Sequence, residues 1–169
     1  VTLTQELIAI DTSNWGESEL TVGEAAAADY CADRLREVGY APEVLATTGD
    51  ARRAVHLRIP GTDPSAGALV VHGHLDVVPA VAADWSHPPF SGVIDHGFVW
   101  GRGAVDMKDM DAMILAVLRE WARTGVRPRR DIIVLFFPDE EAGSRHGSHW
   151  LVDNRPDLFA GATQAIGEV

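Results

Sequence analysis

The chain has 169 residues, 46% of them hydrophobic and 23% charged, which suits one soluble domain able to hide roughly 70% of its unfolded surface. Its net charge of -11, from 25 acids against 14 bases, argues against nucleic acid, whose binding needs basic patches to displace counterions. Cys31 is the only cysteine, so no internal disulfide and no cysteine-based zinc site can form, and the apolar runs Ala112 to Leu118 and Ile132 to Phe137 are too short to span a bilayer.

In chain order, Leu3, Leu7, Ile8 and Ile10 predict a short opening helix that the turn formers Asp11-Thr-Ser-Asn14 end. A second helix follows, with Ser18 or Thr21 as its cap, Ala25, Ala28, Leu35 and Val38 as its apolar stripe and Gly39 as its stop. Tyr40 to Ala46 and Ala54 to Ile59 read as a hairpin around Thr47-Thr-Gly-Asp50, and Pro60-Gly61 with Pro64 as the turn after it. Ala68-Leu-Val-Val-His-Gly-His-Leu-Asp76 then reads as a strand buried on both faces whose polar end must serve some purpose. Alternate strand residues share a face, so His72, His74 and Asp76 can project together at the carboxyl end of the sheet, where open α/β sheets place their ligands. Equally, such a histidine can be a satisfied core residue.

Pro79 to Phe90 has no period and reads as loop; Gly92 to Ile94 and Phe98 to Trp100 flank Asp95-His-Gly97, a second hairpin signal. From Asp106 a helix is expected, with Met110, Met113, Ile114, Val117, Leu118 and Trp121 on its buried side and Gly125 after it. Ile132 to Phe137 is a fully apolar strand closed by Pro138, His149 to Val152 is helical in pattern, and Ala162 to Gly167 is a last short strand. The fold class is therefore α/β, in three layers: a mixed, mostly parallel central sheet with helices on both faces.

Acids recur at strand exits. Asp106 follows the Phe98 to Trp100 strand, Glu140 and Glu141 follow the apolar strand, and Glu168 follows the last one. With His74 and Asp76, four segments deliver a histidine or carboxylate to one end of the sheet. A two-metal site needs a bridging carboxylate, further ligands for each ion and a free base to handle water. Asp106 also suits a helix N-cap, and Glu140 and Glu141 also suit solvated loop acids.

Val71-His-Gly-His-Leu-Asp-Val-Val-Pro79, Trp85 with Pro89-Phe90, Gly101-Arg-Gly-Ala-Val-Asp-Met-Lys108 and Asp139-Glu-Glu-Ala-Gly-Ser144 together resemble the co-catalytic zinc metallopeptidase family of aminoacylase-1, glutamate carboxypeptidase, acetylornithine deacetylase and succinyl-diaminopimelate desuccinylase. The blocks stand in the family's order. Asp109 stands where a glycine is usual, His87-Pro88 interrupts the loop and Trp100 replaces a common tyrosine; none touches a ligand that the resemblance implies. The resemblance implies two zinc ions, with cobalt or manganese as substitutes. His74 and Glu168 would hold one, Glu141 the other, and Asp106 would bridge them. Asp76 would orient His74 and Glu140 would act as general base. A cis peptide bond would join Asp106 to Met107.

The substrates implied are N-acyl amino acids and small peptides, with no nucleic-acid or membrane partner. The resemblance further implies that residues 1–169 are the amino-terminal part of the catalytic domain of an enzyme roughly twice as long or more. The lid or dimerisation domain, through which a homodimer would form, and a carboxyl-terminal segment with the last zinc-binding histidine would lie outside it. A metal-binding or inactive homologous module, or an inactive fragment of the enzyme, is the alternative. No signal peptide opens the sequence and a cytoplasmic location is expected, although a start at Val1 leaves a removed leader open.

Overall fold

Six consecutive apolar residues form the strand around which the molecule is built, here numbered β6 (Ile132–Phe137) and buried along its whole length. The computed structural model describes residues 1–63 and 65–168; the turn expected at Pro64 lies outside them. The helices are α1 (Thr2–Ile8), α2 (Ala25–Arg36), α3 (Lys108–Thr124) and α4 (Ser148–Asn154). The other strands are β1 (Glu43–Ala46), β2 (Arg53–Ile59), β3 (Ala68–His74), β4 (Val93–Asp95), β5 (Phe98–Trp100) and β7 (Ala162–Ile166).

The main sheet runs β1-β2-β6-β3-β7, and β4 with β5 forms a separate two-stranded ribbon. β3 pairs parallel to both β6 and β7. β2 is antiparallel to β6 and to β1, so β1 again runs with β6 and four of the five strands share one direction. The largely parallel character expected of the sheet is thus present, with β2 as the reversed strand. Alternation along β6 divides the core. Ile132, Val134 and Phe136 meet Leu7 of α1, the alanines and Leu35 of α2 and Leu115 and Leu118 of α3 on one face. Leu135 and Phe137 meet Leu151 of α4 and Leu158 on the other. Among the described residues no helix is long and apolar enough to cross a membrane.

Three local expectations are corrected. Neither Ser18 nor Thr21 caps α2; its N-cap is Glu24, while the Thr21 hydroxyl accepts from the Trp15 amide and donates to the Gly16 carbonyl. Asp106 is not the cap of α3, which begins after Met107. The stripe of α3 is rotated in part: Ile114 and Leu118 are buried and Met110 and Trp121 pack against the core as expected, but Met113 and Val117 are 56% and 49% exposed, and Lys108, Asp111, Ala112 and Leu115 are buried in addition. Pro79 to Phe90 is loop apart from one 3-10 turn at Ala82–Asp84. Gly125 ends α3 in the left-handed region, φ 70°, as its position after the helix predicts.

Candidate metal centre

The carboxyl ends of β3, β6 and β7 lie side by side because the three strands are parallel, and the polar residues that follow them converge there. His74 is the last residue of β3 and is buried. Its Nδ1 lies 2.9 Å from the main-chain oxygen of Asp76. A carbonyl can only accept, so the proton sits on Nδ1 and Nε2 faces the site. Nε2 is 3.0 Å from Asp106 Oδ1 and 3.9 Å from Glu140 Oε2. His74, Asp106 and Glu168 each offer one ligand atom, all within 4.8 Å of one another. The Asp106–Met107 peptide bond is cis. Met107 is buried, and its sulfur accepts the His74 amide at 3.3 Å.

Electrostatically this is a site for a cation. Burial of the His74 ring opposes its charge, but the hydrogen bond and charge of Asp76 and the charge of Asp111 outweigh it and raise the imidazole to about 10. Burial, and then the charge of Asp106, push the carboxyls of Glu141 and Glu168 upward. One imidazole facing several carboxylates is satisfied by a proton on Nε2 or, with the same polarity, by a divalent ion. The donor set of imidazole nitrogen and carboxylate oxygens is one that zinc accepts.

Asp76 departs from the simple role expected of it. Its carboxylate is 3.5 Å from His74 Nδ1, and its closer partners are the main-chain amides of Glu140 (2.9 Å) and Glu141 (3.0 Å) and the Asn14 side chain (2.8 Å). It orients His74 through its main-chain oxygen and the Glu140–Glu141 turn through its carboxylate. Glu141 accepts from the Val78 amide at 3.2 Å and stands outside the group made by His74, Asp106 and Glu168. His72 is half-buried beside Phe137, with ring centroids 5.7 Å apart, and its ring packs where a Cβ on Gly167 would stand. It lines a small cavity of about 80 Å³ together with His74, Met107, Phe137, Glu140 and Glu168.

Several residues of this region were given no role by the sequence. Asn14, read as a turn former, is brought here because the segment after α1 runs beside the exit of β3: Ser13 bridges Val77, and the Thr12 hydroxyl donates to the Leu75 carbonyl at 2.7 Å. Lys108 is fully buried and donates from Nζ to the Leu7 and Ile10 carbonyls, so it clamps the end of α1 to the start of α3. Asp111 is fully buried and neither carboxylate oxygen has a partner among the described residues.

A family model described as Peptidase family M20/M25/M40 matches residues 70–168. The chain is 39% identical to aminoacylase-1 of Sus scrofa over 102 residues, 60% of this chain and 25% of that protein. It is 39% identical to succinyl-diaminopimelate desuccinylase of Methylorubrum populi over 139 residues, 79% of this chain and 35% of that protein. The chain thus spans about a quarter to a third of the length of these relatives. Among solved structures, human carnosine dipeptidase 1 superposes with a TM-score of 0.81 at 22% identity, over 99% of this chain and 37% of that one. The dipeptidase Dug1p of Saccharomyces cerevisiae does so at 0.79 and 22%, over 99% and 37%. At these identities the likeness shows the fold.

Proposed function

The chain belongs to peptidase family M20/M25/M40, and from that premise we propose that it supplies most of a two-zinc centre that hydrolyses the amide bond of N-acyl amino acids or small peptides. The observation that carries this reading is the convergence of His74, Asp106 and Glu168 within 4.8 Å. His74 and Glu168 would hold the first ion and Glu141 the second, with Asp106 as the carboxylate shared between them. When bound, the metal supplies Lewis acidity, acidifying water and polarising the scissile carbonyl. Asp76 keeps one proton of His74 on Nδ1, so Nε2 is the nitrogen that would ligate once it has lost its own proton. The same carboxylate holds the main chain of Glu140 and Glu141, which lets two adjacent acids serve different ends. Glu140 removes a proton from the attacking water and returns it to the leaving amine.

In this reading residues 1–169 are the amino-terminal part of a longer catalytic domain, whose remainder adds a histidine to the second position and a lid or dimerisation domain. The relatives matched, an aminoacylase and a desuccinylase, act on acylated amino groups by their names, and that supports the substrate class. In the longer protein Glu140→Gln is expected to lower turnover about 100- to 10,000-fold while zinc content stays near that of the parent. Glu141→Gln is expected to lose metal. Zinc loss in Glu140→Gln, or full activity, reverses the two roles. A metal-binding module without turnover is the second reading, favoured by one observation: among the described residues His74, Asp106 and Glu168 are the one metal-type group.

A further inference from the structure

A chain of polar contacts runs from the centre into the protein. Asn14 Nδ2 donates to Asp76 Oδ2 at 2.8 Å and to Asp139 Oδ1 at 3.1 Å. Asn14 Oδ1 accepts from Arg52 Nη2 at 3.2 Å, and the same nitrogen lies 3.3 Å from Asp139 Oδ1. The other arm of the guanidinium, Nη1, donates to Glu24 Oε1 at 2.6 Å. Glu24, Asp76 and Asp139 are buried carboxylates, and Arg52, at the end of the β1–β2 turn, stands between the first and the last of them. Buried carboxylates keep one geometry only when charge and hydrogen bonds compensate them. Asp139 also holds a left-handed backbone, φ 69°, immediately before Glu140. For a residue with a Cβ such a conformation persists where the surroundings over-determine it.

We propose that Arg52 is a positioning residue for the Glu140–Glu141 turn. Its fork fixes Asn14 and Asp139 together; Asn14 sets the Asp76 carboxylate, and that carboxylate takes the amides of both glutamates. The fork matters as much as the charge, because a lysine ammonium can pair with Glu24 but cannot span Glu24, Asn14 and Asp139 in the same plane. The inference rests on the reading of Glu140 as base and Glu141 as ligand.

The test uses the 169-residue chain, with amide hydrogen exchange at Glu140 and Glu141 as a metal-free readout and zinc affinity by competition with a chromophoric chelator as a second. In Arg52→Lys the urea midpoint should stay close to wild type, while the two amides lose protection by about tenfold or more and zinc binds about tenfold more weakly, the lower end of what outer-sphere changes cause. Arg52→Met combined with Glu24→Gln removes the cation and its α2 partner together. It should keep the fold and still lose the same protection, whereas a role limited to neutralising Glu24 would restore it. Wild-type protection at both amides in these two variants overturns the proposal. If Arg52→Lys unfolds the chain, the double variant decides by the same readout. Failure of the metal reading shows separately, as zinc affinity unchanged by His74→Ala, and leaves the exchange result to judge Arg52 by itself.

Discussion

Burial pushes the carboxyl of Glu24 up to about 7 from an ordinary 4.5, against the lowering pull of Arg52, and its Oε2 has no hydrogen-bond partner among the described residues. The folded chain therefore holds a proton there that the unfolded chain releases above about pH 4.5. The stability from this group is full below about 4.5 and is lost as pH rises through about 7, on the order of 3 kcal/mol in all. Glu24→Gln should flatten that part of the profile. Urea unfolding of both proteins between pH 4.5 and 8 checks it, and parallel curves would mean that Arg52 keeps Glu24 ionised throughout. At this scale the residues that face the site were legible, and most of the support behind them was not. His74, Asp106, Glu140, Glu141 and Glu168 stand out because each breaks from an apolar run or glycine turn at a strand exit. Asn14 and Arg52 lie in ordinary polar segments and Glu24 opens an alanine run, and only tertiary pairing distinguishes them from surface residues.

Between elements, β3 fits closely against the first turns of α3. A Cβ on Gly73 would overlap Asp111 Oδ1 and lie 3.2 Å from Met107 Cε. Gly73→Ala is thus expected to destabilise the chain by about 1 to 3 kcal/mol through overpacking. Asp111→Ala removes the obstacle and a carboxylate that burial pushes well above its usual range. The double variant should therefore recover most of the loss, with a coupling of about 1 kcal/mol or more in urea unfolding. Additive effects would show that the clash relaxes elsewhere. The same pair explains the rotated stripe of α3. That helix carries apolar residues around more than half its circumference, so two stripes fit its periodicity. Taking Lys108 and Asp111 as solvent-facing selects the one through Met113 and Val117; burying both charges selects the one observed. The hairpins, by contrast, were readable from their turn residues, and Ala46 pairs with Arg53 across the first of them.

Across the whole molecule, the strand order β1-β2-β6-β3-β7 is what brings His74 and Glu168 together, and no local pattern in the sequence specifies that order. It leaves β7 at an edge with all five residues exposed, Ile166 to 53%. A bare edge strand invites pairing with another chain, so the isolated 169 residues should self-associate with rising concentration, which sedimentation reads directly. Zinc stoichiometry tests the site as a whole. In the proposed reading the first position would have His74, Asp106 and Glu168, three protein donors that with water would make an ordinary catalytic zinc set. The second would have, within these residues, Glu141 and the shared Asp106, and two carboxylates without imidazole hold zinc weakly. About one zinc should therefore survive exhaustive dialysis, with essentially no turnover of an N-acyl amino acid. Because Asp76 and Asp111 raise His74 to about 10 despite its burial, the imidazole is protonated at neutral pH and must lose that proton to ligate. Zinc binding at pH 7 should release about one proton from His74, and affinity should rise about tenfold per pH unit until hydroxide intervenes. Calorimetry in buffers of different ionisation enthalpy counts the proton, and atomic absorption counts the metal. Two tight zinc ions with measurable turnover would require a second imidazole from within these residues or from a neighbouring copy, and would overturn the assignment of Glu141 as the lone unshared ligand of its ion.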